Sequence, residues 1–251
     1  MKINWNKYRM PIVLIIGLIQ FIYSQNPLNP NLYVKINDTL YFSKYEVSNE
    51  LYNKFLSDSQ YKNLSDVLID TTQWLKKDHY SAPHANYYHN HPSFSNFPVV
   101  NISYQAAKLF CQWLTEQYNK DKNRKFRKVY FRLPTEQEWE EAARGGNKDA
   151  IYGWMGNDIT DKKGNPKGNY LNEKNYNNYN LLYSVHSFAP NAYGIFNMSG
   201  NVSEMIEGGE ILKGGDWMHE YEFCKINTKM TWDGKPRPNV GFRVVMVVNE
   251  K

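Results

Sequence analysis

Phe131-Arg132-Leu133-Pro134-Thr135-Glu136-Gln137-Glu138-Trp139-Glu140-Glu141-Ala142-Ala143-Arg144-Gly145-Gly146 is a stretch in which nearly every residue has a local structural job. Residues 129–133 read as a short strand, which Pro134 breaks. Thr135 with Glu138 three residues on forms a capping box, each side chain taking a backbone N–H at the start of a helix. Trp139, Ala142 and Ala143 fall at the i, i+3, i+4 spacing of a core-facing stripe, and Gly145 supplies the left-handed residue that ends the helix. Taken alone, the pattern is that of a capped, amphipathic surface helix.

Other segments extend the reading outward. Ser103 caps a helix over Gln105 to Tyr118 with Ala106, Leu109, Phe110, Trp113 and Leu114 inward. Cys111 flanks that stripe as a buried small hydrophobe, since no basic residue or histidine is placed to activate it. Ser48 or Asn49 caps a helix through Leu56, with Tyr52, Phe55 and Leu56 inward. Before it, Tyr33, Lys35, Leu40, Tyr41, Phe42 and Tyr45 alternate around an Asn37-Asp38 turn, the signature of a hairpin. Residues 57–97 show little periodicity yet hold His79, His84, His89 and His91 of the six histidines. No helical His-x-x-x-His and no carboxylate at ligand spacing accompanies them, so they read as loop histidines in an aromatic-rich segment. Residues 147–192, rich in Asn, Gly and Tyr, read as long ordered surface loops, where function usually sits.

With 251 residues, 41% of them hydrophobic, the chain can bury one core, and one domain is the expectation. The net charge of +5 arises from interspersed acids and bases, which gives no nucleic-acid face. Residues 120–128 are a local basic run, read as a solvated loop. Residues 1–24 combine Lys2, Lys7 and Arg9 with an apolar run and Ser24, the layout of a cleaved signal peptide. Once it is removed, no stable membrane span is expected. Residues 25–31 read as a linker, and residues 32–251 as the domain.

A second block, Tyr193-Gly194-Ile195-Phe196-Asn197-Met198-Ser199-Gly200-Asn201-Val202-Ser203-Glu204-Met205, is followed by Leu212-Lys213-Gly214-Gly215-Asp216-Trp217 and by Gly241-Phe242-Arg243. With the first stretch, Tyr45-Glu46-Val47-Ser48-Asn49 and Pro98-Val99-Val100-Asn101-Ile102-Ser103-Tyr104, these blocks resemble the formylglycine-generating enzyme family, or sulfatase-modifying factor domain. The resemblance covers residues 40–248. It implies an irregular α+β single domain of C-type lectin-like type, low in regular secondary structure and long in loops. Residues 70–100 are similar to the branch found in gliding-motility and type IX secretion lipoproteins of Bacteroidetes, whose members are structural parts.

Enzymes of the family use two cysteines that bind copper(I), for which two soft thiolates are suited. The first lies four residues after the second glycine of the Gly-Gly pair, the other nine. Counted from Gly215, those positions are His219 and Cys224. One thiol is missing, so copper is not expected, and Asp216, Glu220 and Glu222 oppose a thiolate at Cys224. The resemblance further implies calcium at Asn197, Gly200, Val202 and Glu204, and a weaker second site at Asn169, Asn177 and Tyr179, where the expected aspartate is Asn177. The plainer account of Asn197 to Glu204 is a turn with Asn and Gly in left-handed conformations. The expected function is an exported binding or structural module of the periplasm or cell surface, with a protein or envelope partner; the alternative is a copper oxidase that matures sulfatases.

Overall fold

A computed structural model describes residues 28–76, 81–172 and 182–250. Residues 1–24, the first three residues of the expected linker, His79, Asn177 and Tyr179 lie outside the described residues. Among the described residues, two small sheets and four α-helices are joined by long irregular segments. Strands β1 (Tyr33–Lys35), β2 (Leu40–Ser43), β3 (Lys128–Arg132) and β8 (Val245–Glu250) form an antiparallel sheet in the order β1-β2-β8-β3. Strands β4 (Ser203–Met205), β5 (Ile211–Lys213), β6 (Met230–Thr231) and β7 (Val240–Gly241) form the second, in the order β6-β5-β4-β7, with β4 and β7 parallel. The helices are α1 (Asn49–Ser57), α2 (Ala82–Tyr87), α3 (Tyr104–Lys120) and α4 (Glu136–Arg144).

The hairpin forms where the alternation places it, with Tyr33 opposite Ser43 and Lys35 opposite Tyr41. Asn37 closes its turn by accepting from the backbone of Thr39 and Leu40. Helix α4 begins with both halves of the Thr135–Glu138 capping box and ends at Gly145, whose φ is +57°. Helix α3 is capped by Ser103, which accepts from the Ala106 N–H at 3.1 Å. Its buried stripe runs through Ala106, Ala107, Phe110, Cys111, Trp113, Leu114 and Tyr118. Leu109, expected inside, is only half-buried, as is Leu56 on α1, because each sits at the margin of its stripe.

Helix α3 also protects a sheet edge. β3 is the last strand of its sheet, and its free backbone groups meet α3 side chains: Thr115 Oγ1 accepts from Phe131 N at 2.8 Å, and Asn119 pairs with both N and O of Val129. The i, i+4 spacing of Thr115 and Asn119 matches two residues on one strand edge, and so blocks edge-to-edge pairing.

The segment between α1 and α3 is more ordered than its lack of periodicity implies. It holds short 3-10 turns and α2, elements too brief to print a period. His84 packs within ring distance of Trp74, Tyr88 and Phe94, at 5.1–5.7 Å, and is thus part of an aromatic cluster. Among the described residues no helix is long and apolar enough to cross a membrane.

Candidate functional site

Three of the sequence blocks converge on one buried carboxylate. Glu204, on β4, is fully buried and accepts from Arg243 Nε at 2.9 and 2.7 Å, from Arg243 Nη2 at 2.6 Å, and from Trp139 Nε1 at 2.8 Å. The guanidinium continues to the carbonyls of Ser43, Lys44 and Phe196. Helix α4, β4 and the chain entering β8 are therefore pinned at one point, in the bidentate geometry that suits a desolvated Arg–carboxylate pair. Lys213 of β5 adds a second tie, with its side chain buried, its Nζ 2.8 Å from Glu140 and 3.6 Å from Glu136 on α4.

A second buried carboxylate organises the loops. Glu46, 1% exposed, accepts from Asn197 Nδ2 and Asn201 Nδ2, both at 2.9 Å. Asn197 and Asn201 have φ of +54° and +69°, left-handed conformations that Asn tolerates, so the stretch is the turn that its composition implies. Burial pushes the Glu46 carboxyl up to about 7; Arg243 pulls it down, Glu204 raises it again, and the two amides lower it. Composition gave no hint that Glu46, between Tyr45 and Val47, is a hub.

Asp216, also fully buried, accepts from Ser203 Oγ, Asn239 Nδ2, Met218 N and His219 Nδ1, the last at 2.8 Å. That bond assigns the proton of neutral His219 to Nδ1, on a side chain 36% exposed. The Asp216 hydrogen bond holds the His219 pKa above the ordinary imidazole value, against burial.

Cys224 is enclosed. It is 0% exposed among Tyr152, Trp154 and Tyr170. Gly215, at φ +66°, is required by this packing, since a Cβ there would lie 2.8 Å from Cys224 Sγ. Burial, then Asp216 and Glu222, push its thiol far above the usual range. Cys111 is a free, buried thiol in a different core cluster. Unfolded protein labelled without prior reduction is therefore expected to yield two free thiols; one or none would mean a bond that the structure does not contain.

The residues present do not fit calcium as the resemblance sets it out. Glu204, the one charged member of the set, has both oxygens filled by a guanidinium and an indole, and a divalent cation would have to displace an internal cation already in place. Asn197 offers one unpartnered buried acceptor, Oδ1, but turns its amide nitrogen to Glu46. At the second site, Asn169 donates to Asn201 Oδ1 at 3.3 Å, while Asn177 and Tyr179 lie outside the described residues. Copper(I) fares no better: the one thiol near His219 is closed in and held protonated, and the imidazole is tied to Asp216. Among the described residues no three His, Cys, Asp or Glu side chains form a metal cluster.

The fold is shared with solved structures. PvdO from Pseudomonas aeruginosa superposes with a TM-score of 0.60 at 20% identity, over 83% of this chain and 80% of that one. Treponema denticola variable protein 1 superposes with a TM-score of 0.56 at 19% identity, over 85% and 90%. Among curated proteins, the inactive C-alpha-formylglycine-generating enzyme 2 of Bos taurus is 30% identical over 59% of this chain and 49% of its own length. The formylglycine-generating enzyme of Thermomonospora curvata is 36% identical over 43% and 32%. The chain thus spans about half or less of the length of these curated relatives. The sulfatase-modifying factor enzyme 1-like domain matches residues 6–248, nearly the whole chain. Together with the convergence of its blocks on Glu204, that match places the protein: it belongs to the sulfatase-modifying factor enzyme 1-like domain family.

Proposed function

We propose that this domain is a non-catalytic binding or structural module, exported to the periplasm or cell surface, where it serves a protein or envelope partner in gliding motility or type IX secretion. The observation that carries the non-catalytic reading is the pair of positions where the enzymes keep two thiols. One holds His219, bound to a buried carboxylate, and the other holds Cys224, sealed in an aromatic cluster. A thiol must ionise to attack or to bind a soft metal, and burial beside Asp216 and Glu222 opposes ionisation. Two of the similar curated proteins carry the word inactive in their names. The export and secretion-machinery parts of the proposal rest on the layout of residues 1–24 and on the similarity of residues 70–100.

Purified protein incubated with a Cys-x-Pro-x-Arg peptide, with and without added copper, tests the proposal by peptide mass spectrometry. No conversion to formylglycine above a Cys224→Ala control is expected. Turnover that depends on Cys224 would overturn it in favour of the copper-dependent oxidase.

A further inference from the structure

The loop that joins α3 to β3 carries Lys122, Arg124, Lys125 and Arg127, with Lys120 and Lys128 at its ends. It is a built feature and not a loose charged tail. Phe126 is buried against Tyr41, ring centroids 5.1 Å apart, and its N–H donates to Tyr118 Oη at 3.2 Å. The Arg124 guanidinium donates to the carbonyls of Asp121 and Arg127, both at 2.9 Å, and so fastens the two sides of the loop together. Its one acid, Asp121, spends a carboxylate oxygen on Asn123 N.

The cations are therefore displayed at little cost in ordering. Lys122, Lys125 and Lys128 are exposed, with no carboxylate within 4.0 Å among the described residues. Arg127 and Lys120 make only long contacts, 3.4 Å to Glu250 and 3.7 Å to Glu116. Asp38, on the hairpin turn, is taken by Lys35 at 2.8 Å. An open hollow of about 330 Å³ lies between Arg124, Arg127 and Lys128, with Asn119 and Glu250 completing it. Beside it on the outward face of β3, Tyr130 is 38% exposed, an amphipathic ring of the kind that favours a membrane–water interface.

We infer that this loop is a docking surface for anionic lipid headgroups, whose phosphate oxygens are bound at the hollow and along Lys122, Lys125 and Lys128. Each lysine or arginine near an anionic bilayer contributes about 1 kcal/mol, a factor of about five in binding. A cluster of this size is thus a functional quantity, and a preordered loop loses little conformational freedom on contact. The choice of lipid over nucleic acid rests on the export reading above; the basic surface itself does not.

The test is co-sedimentation of the full chain with phosphatidylcholine vesicles made with and without phosphatidylglycerol. The readout is the ratio of the two affinities, in which apolar insertion by residues 12–22 enters both terms, and its change between wild type and variant, in which Lys2, Lys7 and Arg9 are common to both. Wild type is expected to prefer the anionic vesicles, and to lose the preference in 1 M salt, where the Debye length is about 3 Å. Lys122→Gln, Lys125→Gln and Lys128→Gln together should reduce the ratio on the order of 100-fold. Lys162→Gln with Lys163→Gln, on a separate exposed turn, should leave it unchanged. An unchanged ratio in the triple variant, or an equal fall in the Lys162/Lys163 control, would overturn the proposal. So would competition by duplex DNA at matched phosphate concentration that strips the protein from vesicles, which would assign the loop to nucleic acid and count against export. Formylglycine formation has no bearing on any of these outcomes.

Discussion

Glu204→Ala is expected to destabilise the protein by about 3–5 kcal/mol, the cost of leaving one partner of a buried ion pair without the other. Arg243 has no exposure and no second carboxylate at hydrogen-bonding distance among the described residues, so its charge would be stranded. Trp139 Nε1 would lose its acceptor as well. Arg243→Ala should cost a similar amount, since it strands Glu204 and frees three carbonyls that the guanidinium now serves. The double variant should cost much less than the sum, because each single change already removes the shared interaction. Urea unfolding of the four proteins measures this directly. Additive losses would show that the pair acts as two independent packing residues, and losses under about 1 kcal/mol would place it with ordinary surface pairs.

The second large effect is set by pH. Glu46 titrates at about 7 in the folded chain against 4.5 unfolded, with burial as the leading cause. A carboxyl with a raised folded pKa binds its proton more tightly in the native state, so its contribution is fully present below about 4.5 and is lost as pH rises through 7. The shift corresponds to roughly 3 kcal/mol between those limits. Glu46→Gln is therefore expected to flatten the decline in stability from pH 5 to pH 8 and to be the more stable protein at the upper end. The new amide nitrogen takes the place of one carboxylate oxygen that accepts from Asn197 or Asn201, and it finds an acceptor when the Asn197 amide turns over to present Oδ1, which has no partner in the wild type. Melting temperature measured across that range checks the sign: a wild type that becomes more stable as pH rises through 7, with the same slope in Glu46→Gln, would refute the assignment.

Much of the fold was legible because its rules are local. The Thr135–Glu138 box, Gly145, the Ser48 and Ser103 caps and the Asn37 turn each act over three or four residues, and each forms where the sequence places it. The stripe of α3 was readable because seventeen residues print a period. Residues 57–97 were not, since turns of three to six residues carry no period, and their order comes from Trp74, Tyr88 and Phe94 meeting in space.

The site was less legible than the fold. The motif residues Trp139 and Arg243 both donate to Glu204, but their spacing along the chain says nothing of that. A ligand set assigned by resemblance therefore gave Glu204 to calcium, when its oxygens are already filled.

The chain by itself determined the family, the N-caps of α1, α3 and α4, the hairpin and the histidine at position 219 where the enzymes keep a thiol, all matters of residue identity or short-range bonding. Tertiary structure alone decided which carboxylate faces which cation, that Cys224 is enclosed, and that Glu46 is the hub of two distant loops. The physical reason is range. Caps and turns are satisfied within a few residues, whereas burial and charge pairing depend on groups brought together from 39 positions apart for Glu204 and Arg243, and from 155 apart for Glu46 and Asn201.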